Sequence, residues 1–79
     1  MNHDLRISLN MDDGSYSVEY IEQNKLYTIA EAGREAEAIR EAKDYLKGEE
    51  EKGDRIMTVY GDIYTWTGKS WSLTKPSNR

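Results

Sequence analysis

The chain reads as an α+β domain: an antiparallel sheet with one helix on one face, in the order βββ-α-ββ with a third short strand possible at the end. Three observations predict it. Apolar residues alternate over residues 5 to 30, they switch to helical spacing over residues 32 to 47, and alternation returns after Arg55. A sheet with one apolar face and a helix with one apolar stripe bury each other.

In the first strand, Leu5, Ile7, Leu9 and Met11 alternate with Arg6, Ser8 and Asn10, so all four apolar side chains are expected to face the core. Asp12-Asp13-Gly14-Ser15 supplies turn chemistry, because Asp and Gly tolerate positive φ. Tyr16, Val18 and Tyr20 then share one side of a second strand. Gln23-Asn24-Lys25 turns the chain into a third, Leu26 to Ala30, and short turns make these three an antiparallel meander.

Ala32, Ala36, Ile39, Ala42 and Leu46 recur at spacings of three and four, with Ala38 and Tyr45 flanking them, which predicts a helix packed through that stripe. Glu37, Arg40, Glu41, Lys43 and Asp44 fall opposite, with Glu37–Arg40 and Arg40–Asp44 at pairing distance. Gly48 stands at the C-cap position. Glu49-Glu50-Glu51-Lys52-Gly53 reads as a solvated linker. Strands are expected at Ile56 to Tyr60, Ile63 to Thr67 and Ser70 to Thr74, turning at Gly61-Asp62 and Gly68-Lys69; a two-residue Gly68-Lys69 turn sets Trp66 opposite Trp71.

Seventy-nine residues make a single domain over 1–79, with an ordered core about 4–74 and a polar tail 75–79. A chain this short buries only roughly 60% of its unfolded surface. Cysteine is absent, so neither a disulfide nor a thiolate–metal centre staples it. The N-terminal residues lack a signal-peptide pattern and no window approaches a membrane span, so a cytoplasmic protein with no membrane partner is expected.

Charge is the most informative compositional feature. The net −4 resides in residues 31 to 54, where nine acids face five bases; elsewhere six acids balance six bases. A localised acidic face suits a protein partner with a basic groove and argues against direct nucleic-acid binding. The strands carry Arg6, Lys25, Arg55 and Lys69 against Asp12, Glu19, Glu22 and Asp62, so no positive stripe emerges for a sheet laid in a DNA groove.

No motif supplies catalysis. Thr67-Gly68-Lys69-Ser70 has the letters of a phosphate loop, but Ile63 occupies the place of its first glycine and no helix follows. Asp12-Asp13-Gly14 leads straight into a strand rather than continuing as a calcium loop. His3, the sole histidine, is expected at a frayed terminus, and the acids cluster where pKa perturbation is least expected. The reading is therefore non-enzymatic, with no catalytic, cofactor or metal residues. The partner-binding candidates are Glu35, Glu37, Glu41, Asp44, Glu49, Glu50 and Glu51, which could imitate a run of phosphates, and Tyr60, Tyr64, Trp66 and Trp71 as exposed aromatic anchors.

The βββαββ-like order over residues 4 to 74, the small size and the helix Glu35-Ala36-Glu37-Ala38-Ile39-Arg40-Glu41-Ala42 resemble the small, acidic, cysteine-free inhibitors made by phages, notably anti-CRISPR proteins. The same helix after a short meander also looks like small bacterial domains of that order. The first resemblance implies binding to a CRISPR effector, often at its nucleic-acid channel, without catalysis or cofactor. The leading expectation is an inhibitor, monomer or homodimer, that blocks a CRISPR or other nucleic-acid-handling complex. The alternatives are a housekeeping module that dimerises or docks through an open sheet edge, and a sheet-face DNA-binding domain.

Overall fold

A computed structural model describes residues 2–77. The elements are β1 (Asp4–Leu9), β2 (Tyr16–Glu22), β3 (Lys25–Ala32), α1 (Glu35–Tyr45), β4 (Arg55–Met57), β5 (Ile63–Trp66) and β6 (Trp71–Lys75). They form an α+β fold, one helix on a six-stranded sheet of order β3-β2-β1-β4-β5-β6. Among the described residues, no helix is long and apolar enough to cross a membrane.

One pairing departs from the expected antiparallel sheet. β1 and β4 run parallel, with Asp4 beside Arg55, Leu5 beside Ile56 and Arg6 beside Met57. The sheet is therefore two antiparallel meanders, β1–β3 and β4–β6, joined at one parallel seam. The helix between β3 and β4 carries the chain back across the sheet, and a long crossover is what parallel neighbours require.

Both short turns follow their residue chemistry. Gln23 and Asn24 both take positive φ, closing the β2–β3 hairpin with Glu22 paired to Lys25. Trp66 pairs with Trp71 across the Gly68 turn as the spacing predicts, their rings edge-on at 5.5 Å. The first turn corrects the placement of Met11. The Asn10 side chain accepts the Asp12 N–H and its carbonyl accepts the Gly14 N–H, so β1 stops at Leu9 and Met11 is 84% exposed. β4 is also shorter than expected. The Thr58 hydroxyl accepts the Asp62 N–H and the Thr58 N–H donates to the Asp62 carbonyl, which folds the chain into a turn right after Met57.

The buried core comprises Leu5, Ile7, Val18 and Ile56 from the sheet and Ala38, Ala42 and Leu46 from the helix side. Alternation puts Tyr16, Tyr20, Tyr64 and Trp71 on this same face, packed against that cluster. The helix stripe is rotated from the expected one. Ala38, Ala42 and Leu46 are buried, Ile39 is half-buried and Ala36 is exposed. Both registers satisfy the three–four rule, and the alanine-rich sequence does not choose between them. The contact does: small Cβ groups at 38 and 42 let the helix backbone lie close to the sheet.

The expected tail at 75–79 is partly structural. Lys75 belongs to β6, and the Ser77 N–H donates to Asp62 Oδ1 at 2.6 Å; residues 78 and 79 lie outside the described residues.

The stripe assignment is testable by enlarging alanines. Ala42→Leu should cost about 1–3 kcal/mol by overpacking, whereas Ala36→Leu should stay within about 0.5 kcal/mol. Urea unfolding of both variants measures the contrast.

Candidate functional site

The buried stripe dictates which helix side chains reach solvent. With Ala38, Ala42 and Leu46 turned inward, Glu37, Glu41 and Asp44 are carried on the exposed side. A rise of ~1.5 Å per residue separates successive members by ~4–6 Å along the axis. The pairs expected with Arg40 do not form: among the described residues, none of Glu37, Arg40, Glu41 and Asp44 makes an ion pair. Lys43 leaves this face altogether and is half-buried, its ammonium 5.2 Å from the centre of the Tyr64 ring.

On the sheet face away from the helix, Glu19 and Asp4 are already occupied, whereas Glu31, opposite Ser17, is exposed and makes no ion pair among the described residues. Glu19 Oε1 accepts from Arg6 Nε at 3.3 Å, Arg6 Nη2 at 3.2 Å and the Ser8 hydroxyl. Arg55 forks onto Asp4, Nε to Oδ1 at 3.1 Å and Nη2 to Oδ2 at 3.2 Å. The unpaired acids that stand in a row are on the helix side.

Glu41 and Asp44 do more than decorate the surface. With Ile29, Ala30 and Tyr45 they line a groove of about 240 Å³ between α1 and β3. Its floor is aliphatic and aromatic and two carboxylates stand over it. That combination accommodates a long cationic side chain, whose methylene stem packs on apolar surface while its charge meets acids. Glu35 lies apart from this row. It is half-buried in the first helical turn, where Arg34 provides no side-chain cap, and there its charge complements the helix dipole.

The stretch expected to be a solvated linker is ordered. Gly48 takes φ 87° after the helix, and its N–H donates to Glu50 Oε1 at 2.8 Å. Glu50 is thus half-buried and tied to the chain, while Glu49 and Glu51 remain exposed.

The aromatic candidates do not form one patch. Tyr60 is exposed in the β4–β5 connection, at the opposite end of β5 from the tryptophan pair. Tyr64, Trp66 and Trp71 are half-buried instead of exposed, because their strand faces point to the helix side; Tyr64 and Trp71 pack on the core.

His3 and Asp54 correct the sequence reading most sharply. Asp54 is wholly buried, and its carboxylate accepts the His3 N–H at 2.6 Å, the Glu51 N–H at 2.8 Å and the His3 ring at 2.8 Å through Nδ1. The Arg55 N–H donates to the His3 carbonyl, and the Trp66 N–H donates to the Asp54 carbonyl. His3 is therefore clasped rather than frayed. Burial pushes the Asp54 carboxyl up, but the Glu51 and His3 amide donors and the His3 ring outweigh it and hold the group below its ordinary 3.8. Aromatic contacts continue from the clasp: His3 to Tyr20 at 6.1 Å, then Tyr20 to Tyr45 at 5.9 Å. Residues 3 and 54 are too far apart in sequence for any local signal to link them. A glycine was the nearest hint. Gly53 has φ 98°, and a Cβ there would meet the Asn2 side chain at 2.5 Å.

Comparison of the chain with protein-family models, characterised proteins and solved structures finds no match.

The clasp predicts a pH dependence. Because folding lowers the Asp54 pKa, its contribution is complete above the unfolded value of 3.8 and is lost as pH falls below it toward the folded value. Urea midpoints measured from pH 6 to pH 2 should drop across that acid window in the wild type and drop less in Asp54→Asn. Asp54→Ala, which strands three buried or half-buried donors, should cost about 3 kcal/mol at neutral pH.

Proposed function

We propose that this domain is a non-enzymatic interaction protein that binds a basic protein surface through α1. The observation that carries the reading is the contrast in charge pairing. Asp4 and Glu19 on the open sheet face are neutralised internally, whereas Glu37, Glu41 and Asp44 form a row with no internal counter-ion among the described residues and two of them line a groove. The group recognised is a lysine or arginine of the partner. Its stem lies on Ile29, Ala30 and the Tyr45 ring, and its head sits between Glu41 and Asp44, with Glu37 extending the field along the helix.

A row of carboxylates a few ångströms apart suits a partner surface that normally holds phosphates. That surface belongs to a CRISPR effector or another nucleic-acid-handling complex, and the domain acts as an inhibitor by occupying its nucleic-acid channel. Exposed charges of this kind mainly set association rate and salt dependence, so buried contacts supply the affinity. Tyr45 at the groove is the aromatic best placed to provide them, with Tyr60, Trp66 and Trp71 farther away.

Titration of the ¹⁵N-labelled domain with an arginine-rich peptide should shift the amide signals of Ile29, Ala30, Glu41, Asp44 and Tyr45 together. Glu41→Lys with Asp44→Lys should weaken that binding at least ~10-fold at low salt, and the remaining affinity should depend less on ionic strength. The functional arm uses a purified CRISPR effector and its target DNA: added domain should reduce DNA binding, and the doubly reversed variant should not. Shifts spread evenly over the surface, or equal affinity for the reversed variant, would sink the reading.

A further inference from the structure

The sheet has two edges, and they differ. β6 is five residues long, is followed by Pro76, and has the Thr74 hydroxyl engaged with Thr65 and with the Ile63 carbonyl. Proline and short length are ordinary ways of closing an edge. β3 has neither. It runs for eight residues, and Lys25 to Thr28 are all exposed, with Leu26 at 46% and Tyr27 at 48%.

The hairpin register shows which backbone groups of β3 are free. Glu22 and Lys25 flank the two-residue turn, so they form a hydrogen-bonded pair and their amides face each other. Alternation then turns the N–H and C=O of Leu26 and Thr28 away from β2, while Tyr27 bonds inward to Tyr20. Apolar side chains flank this free edge on both faces, Leu26 beside Ile21 and Tyr27 beside Tyr20.

We propose that β3 pairs antiparallel with β3 of a second copy of this chain, about a two-fold axis at Tyr27. Leu26 then lies opposite Thr28 of the other copy, so the outward amides of both residues are satisfied on both chains. Lys25 falls opposite Ile29 of the second copy. Lys25 shares its sheet face with Tyr27 and Tyr20, the face covered by the helix, and Ile29 lines the groove under Glu41 and Asp44. The lysine of each copy thus enters the acidic groove of the other. Parallel pairing would set lysine against lysine, so charge as well as hydrogen bonding selects the antiparallel arrangement. Such a two-fold axis stands perpendicular to the sheet and keeps both helices on one face, which doubles the row formed by Glu37, Glu41 and Asp44. The groove invoked for a partner's cation is then filled by Lys25 in the free protein, so partner and second copy compete for it.

The test combines mass and cross-linking. Light scattering at about 100 µM should give twice the 9.2 kDa chain mass. Thr28→Pro removes only an outward N–H and leaves the β2 ladder intact, so a folded variant should dimerise at least ~10-fold more weakly. Lys25→Glu should weaken the dimer several-fold, and Glu41→Lys with Asp44→Lys in the same chain should restore it. The protein lacks cysteine, so Tyr27→Cys introduces the sole thiol. A non-hydrogen-bonded pair holds its Cα atoms ~4.5 Å apart, within disulfide reach; mild oxidation should link Tyr27→Cys chains and leave Thr28→Cys chains single. A monomer at that concentration, equal cross-linking of the two cysteine variants, or an undiminished Thr28→Pro dimer would overturn the proposal. Glu37→Lys separates it from the partner reading, because that change should weaken a basic partner and leave the dimer intact.

Discussion

The parallel seam between β1 and β4 is the constraint on which the rest of the structure depends. It is only a few residues long, yet it makes one sheet from two meanders and places Leu5 beside Ile56 at the centre of the core. Short parallel pairing offers few backbone hydrogen bonds, so the seam is reinforced from outside the ladder. The Asp54 carboxylate gathers amides from both sides of it, the Arg55 amide bonds the His3 carbonyl, and Arg55 forks onto Asp4. The Asp54 and Asp4 contacts are charge-assisted, a stronger kind of hydrogen bond in a protein without disulfides.

The helix exploits what the seam provides. It crosses β3, β2, β1 and β4, so one short amphipathic element covers strands from both meanders. The β5–β6 hairpin extends beyond it and closes itself with the Trp66–Trp71 pair and with Tyr64 beneath the Lys43 ammonium. The aromatic residues that looked like a binding surface are largely the means by which a thin sheet keeps an apolar face partly covered. Tyrosine and tryptophan suit that place, since each can be half-buried with its polar tip in water.

Electrostatics follows the same division. Cross-strand neighbours on the open sheet face bring Arg6 to Glu19 and Arg55 to Asp4, and pairing there is a by-product of register. Helix geometry leaves Glu37, Glu41 and Asp44 in a row; Lys43 has turned to Tyr64, and Arg40 engages no carboxylate among the described residues. Nine acids and five bases in one segment describe an excess of charge. Only the fold turns that excess into a directional face beside an apolar groove.

What the sequence determined by itself is local. Alternation, turn residues and the switch to helical spacing located the helix and the strands, although Ala32, expected in the helix, ends β3 and β4 stops at Met57 instead of Tyr60. The interval across Gly68 set Trp66 against Trp71, because it rests on interactions among near neighbours in the chain. The acidic segment was equally legible as composition. Tertiary structure decided the parallel seam, the rotation of the helix stripe from Ala36 to Ala38, and the pairing of His3 with Asp54. In each case the sequence allows more than one arrangement of equal local quality, and burial of the shared core selects one. Asp54 shows the reason most plainly: an aspartate ending a charged run reads as solvated until β4 lies against β1, and then its burial requires the donors of His3 and Glu51.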